Sequence, residues 1–356
     1  MQSPYRRQKR HHFWKGVGSA SVDAIDLAHL YQKKFSIGLD QGARIATAGS
    51  CFAQNIRREL IARDCNFYDA EPAPQMLPAA RRHDFGYDLF SARFGNIYTV
   101  AQLRQLAERA YGHLPGADAC WHTDGRYFDP FRPTIETGGF ISAEEVENAR
   151  ISHLRAVRTL FEKADVLIFT LGLTEAWRDA ETGIVFPMCP GTAAGEFDAS
   201  RHEFVNYDVA DIVRDFEAFM AIVHGVNPSM KFFLTVSPVP LVATATPHHV
   251  INATSYSKAV LRAAAGKLYD LHDTVDYFPS YEVFTSPVFE GCYFEADKRS
   301  PSQAGIDRAM SVFFGQHGER GAKPEPDEEE LARETIRQRV EAARARQQEL
   351  CDEMML

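Results

Sequence analysis

The chain has 356 residues, 45% of them hydrophobic, and a formal net charge of −9. That is ample apolar material for a large core in one or two units, and the acidic balance offers no basic field for a nucleic-acid partner. No apolar run approaches the roughly 18 residues that cross a bilayer, so no transmembrane segment is expected. The six cysteines lack C-x-x-C spacing. That argues against a zinc site or disulfide scaffold and fits a reducing, cytoplasmic setting, with no metal and no cofactor.

Residues 1–39 read as an N-terminal arm. Its segment 6–12 is basic but lacks the apolar stretch of a signal peptide. It reads as solvated chain, with weak attraction to an anionic surface or glycan as the alternative. Residues 40–315 read as one α/β domain. A first strand, 45–48, runs into Gly49-Ser50-Cys51-Phe52-Ala53, after which Phe52, Ile56 and Leu60 recur at the helical period. Residues 66–146 carry loops, aromatics and prolines with few long periodic runs, and read as an inserted cap that shapes a cleft. They include Gly95-Asn96-Ile97-Tyr98-Thr99 and Asp129-Pro130-Phe131-Arg132-Pro133.

A helical pattern over 147–163 leads into a strand at 166–171, and another over 209–224 leads into 232–236. A third, over 255–271, links to a strand at 275–278. Residues 316–356 read as a linker and a charged helix over about 328–350. Its sparse apolar positions suit a solvated tail, or a helix through which the chain forms a homo-oligomer.

Strands alternating with helices predict a doubly wound, mostly parallel sheet with helices on both faces. In such sheets ligands bind beyond the carboxyl ends of the strands. Here those ends run into the 49–53 turn, Gly172-Leu173-Thr174-Glu175, Ser237-Pro238-Val239-Pro240 and Pro279-Ser280-Tyr281-Glu282. Two nucleophile-type residues, Ser50 and Cys51, stand where a helix begins, beside N–H groups without intrahelical partners and a dipole that favours negative charge. Lys258 and Arg262 lie four apart on one predicted helix, as solvated charges or as a recognition pair for an anionic group. No G-x-x-x-x-G-K-[ST] loop is present, which disfavours a nucleotide-handling enzyme.

These motifs together resemble the GSCFA family. The pentapeptide stands intact at 49–53, followed in order by GNIYT at 95–99, FTLGLTEAW at 169–177, TVSPVPL at 235–241, YSKAVLRAAA at 256–265 and DYFPSYE at 276–282. That family looks like a distant relative of the SGNH/GDSL hydrolases, which implies a flavodoxin-like fold. Aligning Gly49 with the first glycine of the Gly-Asp-Ser-Leu block places Cys51 at the nucleophile and Ser50 at the aspartate; a one-residue shift makes Ser50 the nucleophile. Phe52-Ala53-Gln54-Asn55 is similar to the corresponding block of plant polysaccharide O-acetyltransferases.

Thr174 falls on the oxyanion asparagine, and Gly95-Asn96 is the candidate for the oxyanion glycine block. Glu175 follows as a substrate contact or as the buried partner of an arginine. The final Asp-x-x-His block becomes Asp297-Lys298-Arg299-Ser300: Asp297 is kept and Ser300 replaces the histidine. Three outcomes follow. His248 or His249 could supply the base, with Asp297 orienting it; a cysteine needs less help, because a thiol pKa falls at a helix N-terminus; or catalysis is lost and binding kept. The resemblance implies an acyl-ester hydrolase or O-acyltransferase acting on a small-molecule or glycan ester. The alternative is an inactive glycan- or nucleotide-binding module in polysaccharide biosynthesis or export.

Overall fold

The computed structural model describes residues 3–18, 21–39, 42–114 and 120–318. The C-terminal helix expected over 328–350 lies outside the described residues. Four parallel strands form the main sheet: β1 (Ile45–Gly49), β4 (Val166–Leu171), β8 (Lys231–Val236) and β9 (Val275–Phe278), side by side in that order. All four coincide with runs read from the sequence.

On the outer side of β1, Phe67 makes a single parallel bridge to Ile45. Farther along that edge Ser91 N–H donates to Thr47 O and Ile97 N–H donates to Gly49 O. The chain thus steps outward from β1 once and then crosses back to β4. This is the doubly wound 2-1-3-4-5 pattern, with its second strand reduced to one bridge. The reversal is centred on β1, which marks the carboxyl ends of β1 and β4 as the crevice where such sheets bind ligands.

Period-two alternation divides each strand between two cores. Ala46, Ala48, Leu167, Phe169, Leu171, Phe232, Leu234 and Val236 face one core. It is covered by α3 (Val100–Ala110), α4 (Ala143–Lys163), α5 (Val209–Val226) and α6 (Val250–Leu271). Ile45, Val166, Ile168, Phe233 and Phe278 face the other, covered by α2 (Phe52–Ala62), α7 (Ser280–Thr285) and α8 (Gln303–His317). Ile25, Leu27, Tyr31, Ile37 and Leu39 join this second core. The later part of the segment read as an arm therefore belongs to the packed domain. The earlier part holds a short helix, α1 (Trp14–Gly18), with Trp14 exposed.

Two small sheets went unread in the sequence. The hairpin β2 (Trp121–Thr123) and β3 (Arg126–Phe128) turns through Asp124-Gly125, both at positive φ. β5 (Glu175–Asp179), β6 (Val185–Phe186) and β7 (His202–Asn206) form an antiparallel sheet in the order β6-β5-β7, directly after β4. Within 66–146, α3 is not an irregular cap element. Its Val100, Leu103, Leu106 and Ala107 enter the first core, and its start is fixed by a reciprocal capping box between Thr99 and Gln102.

Candidate functional site

The turn after β1 owes its shape to two glycines. Gly49 has φ 128°, and a Cβ there would lie 2.4 Å from the carbonyl oxygen of Thr170 on β4. Only glycine lets β1 and β4 approach so closely while the chain turns out of the sheet. Ser50 N–H donates to that same Thr170 carbonyl, and Ala53 N–H donates to Ser50 O to begin α2. On the neighbouring strand end, a Cβ on Gly172 would meet Ser50 Cβ at 3.0 Å and Tyr98 O at 3.1 Å. The 49–53 turn, the 95–99 loop and the end of β4 are thus in mutual contact.

Ser50 is buried, and its Oγ has no hydrogen-bond partner among the described residues. Cys51 occupies the N-cap position of α2, is partly exposed, and makes no side-chain cap. Of the two, Cys51 is the one an incoming substrate can reach. The hydroxyls of Thr170 and Thr174 are also buried without a partner. Three such groups around one turn are unusual, because buried polar side chains normally find partners.

The group that completes this site is Lys258, 2% exposed on α6. Its ammonium donates to Gly172 O at 2.8 Å, the glycine whose Cα packs on Ser50. No carboxylate is paired with it among the ion pairs of the described residues. Burial pulls Lys258 down to about 7, with Arg299 pushing in the same direction and Cys51 opposing. A buried lysine brought down to about 7, within electrostatic reach of a thiol, has the properties of a general base. One residue earlier, Ser257 Oγ accepts from Thr174 N–H at 3.2 Å, locking α6 against the chain that leaves β4. In the sequence, Lys258 appears as half of a helix-surface pair with Arg262. The structure separates them: Arg262 stacks on Tyr277 and pairs with Glu282. Lys at 258 could have been singled out by its apolar neighbours at the buried helical spacing, Leu261, Ala264 and Ala265.

The other expected residues fall as follows. His249 is exposed and caps α6, its Nδ1 accepting from Ile251 N–H at 3.2 Å. It precedes Lys258 by nine residues, roughly 13 Å along the helix axis. His248 is likewise exposed. Asp297 is engaged by its own loop, accepting from Arg299 N–H, Ser300 N–H and, at 2.5 Å, Ser300 Oγ. Ser300 therefore closes the loop where a histidine was expected, and Arg299 is the residue from it that acts on Lys258. Asp297 and His249 are not hydrogen-bonded to each other.

Glu175 accepts from Thr244 Oγ1 at 2.7 Å and from Ala245 N–H at 3.2 Å, holding the loop after β8. Its partners are thus a threonine and a backbone amide in place of an arginine. Gly95 has φ 67° and open space at its Cβ position. Asn96 lines a cavity with Arg109, Arg132 and His153. Among the described residues no group of three or more His, Cys, Asp or Glu could hold a metal ion. Nor is any helix long and apolar enough to cross a membrane.

A model of the GSCFA family matches residues 44–313, the interval that holds the main sheet, the 49–53 turn, Lys258 and the 297–300 loop. A search of curated proteins returns no match.

Proposed function

The chain belongs to the GSCFA family, and on that footing we propose that it is an acyl-ester hydrolase or O-acyltransferase in which Cys51 is the nucleophile and Lys258 its base. The observation that carries this reading is the buried, near-neutral Lys258 set against the Ser50-Cys51 turn at the topological switch point. A turn without a histidine would favour a binding module; a desolvated lysine supplies the proton acceptor that the Asp297 loop does not.

The mechanism runs in two halves. Neutral Lys258 takes the thiol proton as Cys51 Sγ attacks the ester carbonyl, forming the carbon–sulfur bond and pushing the carbonyl electrons onto oxygen. N–H groups at the start of α2 face that oxygen, with Gly95 N–H and the Thr174 hydroxyl as further donors; one such donor is typically worth roughly 10²–10³ in rate. The tetrahedral adduct collapses to a thioester, and the departing alkoxide takes the proton from Lys258. Water, or an acceptor hydroxyl, then attacks the thioester with its proton passing to Lys258, and Cys51 leaves as the thiolate and takes that proton back, which restores the thiol and the neutral lysine. Arg299 favours the neutral lysine before each attack. Carbohydrate esters as the substrate class rest on the likeness to polysaccharide O-acetyltransferases.

The test is steady-state hydrolysis of p-nitrophenyl acetate by the wild type, Cys51→Ala and Ser50→Ala. The reading expects wild-type turnover, a loss of about 10³-fold or more in Cys51→Ala, and a smaller loss in Ser50→Ala. Equal activity in all three proteins would refute a nucleophile in this turn. A wild type no faster than buffer with any of a panel of acetylated sugars gives the binding reading the stronger case.

A further inference from the structure

Exposed aromatic and basic side chains crowd one stretch ahead of the first strand. Tyr5 is 70% exposed, Phe13 42% and Trp14 66%. Single exposed apolar residues are ordinary on a protein surface, but three large ones so close along the chain are not. Arg6, Arg7, Lys9 and Arg10 stand between them, and all four are exposed. The stretch has no carboxylate of its own, since the first acidic residue of the chain is Asp23. A local cationic patch therefore sits on a chain whose net charge is −9.

This stretch is folded down onto the domain. Short helical turns over Pro4–Arg7 and Arg10–His12 lead into α1. The His11 ring lies 4.3 Å from that of His29, and His29 stands between the buried Leu27 and Tyr31. Beyond α1's Trp14, Val17 and Val22 pack against the second core. The stretch is thus pinned at His11 and again at Val17, while its large rings and guanidinium groups stay outside. Apolar surface held in water costs free energy that a partner can recover, and a segment already folded loses less entropy when it binds.

We propose that residues 5–14 form an interfacial anchor for a membrane surface of anionic phospholipid. Arg6, Arg7, Lys9 and Arg10 lie against headgroup phosphates, and Tyr5, Phe13 and Trp14 enter the boundary between headgroups and acyl chains. Tryptophan and tyrosine favour that boundary, where the ring is buried and its polar tip stays wet. Basic residues beside them are drawn to a negative leaflet. Salt screens charges farther apart than about 8 Å at physiological ionic strength, so the acidic remainder of the chain does not cancel a local attraction. Single-stranded nucleic acid is bound in grooves that track its backbone, whereas these groups sit on consecutive short turns. The anchor is independent of the chemistry at Cys51, and its test reads binding alone.

The experiment is co-sedimentation of the full-length protein with vesicles of phosphatidylcholine alone, or of phosphatidylcholine carrying about 30% phosphatidylserine. The anionic vesicles are expected to bind at least tenfold more tightly, and to lose that advantage when salt is raised to ~0.5 M. Tryptophan emission should shift to the blue on binding, and Trp14→Phe should remove the shift. Each basic residue near an anionic surface strengthens binding roughly fivefold. Arg6→Gln, Arg7→Gln, Lys9→Gln and Arg10→Gln combined should therefore weaken it on the order of 10²-fold. Tyr5→Ser, Phe13→Ser and Trp14→Ser combined keep every charge and should weaken it at least tenfold. Should either combination fail to fold, the wild-type salt dependence and the Trp14→Phe emission carry the test. No binding, equal binding to both vesicles, or binding that both combinations leave unchanged would overturn the proposal. So would a single-stranded oligodeoxynucleotide that binds the arm while the vesicles do not, which would assign the patch to nucleic acid.

Discussion

Lys258 carries two opposed consequences. Its charged form is held out of water, so at pH 6 the folded protein bears an uncompensated cost that the unfolded chain does not. A lysine whose folded pKa drops from 10.5 to about 7 binds fewer protons in the folded than in the unfolded state between those values. Stability from this group therefore rises with pH across that window. Lys258→Met is expected to raise stability at pH 6 by a few kcal/mol, less the part lost with the Gly172 hydrogen bond. It should also flatten the pH dependence between 7 and 10.5 and abolish turnover. Urea melts at pH 6 and pH 9 check the first two effects. A variant destabilised at pH 6 contradicts the placement of a desolvated cation here. In the wild type, kcat/KM is expected to rise with pH through about 7, because the base works in its neutral form.

At the scale of elements, the site depends on how closely β1 and β4 approach and on where α3 begins. Gly49→Ala would place a methyl group 2.4 Å from Thr170 O at φ 128°. It is expected to cost roughly 3 kcal/mol or more, as strained backbone plus overpacking. A denaturant midpoint within experimental error of the wild type would show that the close approach is not required. Thr99→Ala removes the capping box of α3 and should cost about 1 kcal/mol in the same assay.

The four main strands were legible because uninterrupted apolar runs buried on both faces leave a strong signal, as in VLIFTL and FFLTV. β5 and β7 were not, since their residues alternate without a continuous apolar run: Glu175, Trp177 and Arg178 read as the end of a motif more than as a strand. α3 was hidden by polar Gln102, Arg104, Gln105, Glu108 and Arg109, although Val100, Leu103 and Leu106 keep the period. Ser50 and Cys51 could be found from the strand–turn–helix junction. The apolar spacing around Lys258 could have flagged its burial, but the role open to it could not be read, because the sequence does not show the contact of Nζ with Gly172. Likewise His249 stood at a rim loop by order along the chain, yet it is turned to solvent as a cap.

For the whole molecule, the segment before β1 is tied to the far side of the sheet. Tyr31 Oη donates to Asp276 Oδ2 at 2.8 Å and contacts His317 Nε2 at 2.9 Å, and Lys34 N–H donates to the same carboxylate. Phe233 and Phe278 pack edge-on against Tyr31, and Phe313 packs edge-on against both phenylalanines. Removing residues 1–39 is therefore expected to unfold the domain, whereas removing 1–20 leaves it folded; circular dichroism and limited proteolysis distinguish the two. Burial pushes His317 from 6.5 down to about 4. A histidine kept neutral in the fold but protonated in the unfolded chain subtracts stability as pH falls from 6.5 toward 4. His317→Gln should weaken that acid dependence, seen as a smaller drop in thermal midpoint between pH 7 and pH 4.5. An unchanged drop would place the acid sensitivity elsewhere.

The proposed chemistry requires a covalent acyl group on Cys51, formed with the help of Lys258. Intact-protein mass spectrometry after brief reaction with p-nitrophenyl acetate measures it directly. A single acetyl adduct is expected in the wild type, mapped by peptide digestion to Cys51, absent in Cys51→Ala and strongly slowed in Lys258→Met at pH 7. An adduct that persists in Cys51→Ala, or forms at the wild-type rate in Lys258→Met, contradicts it.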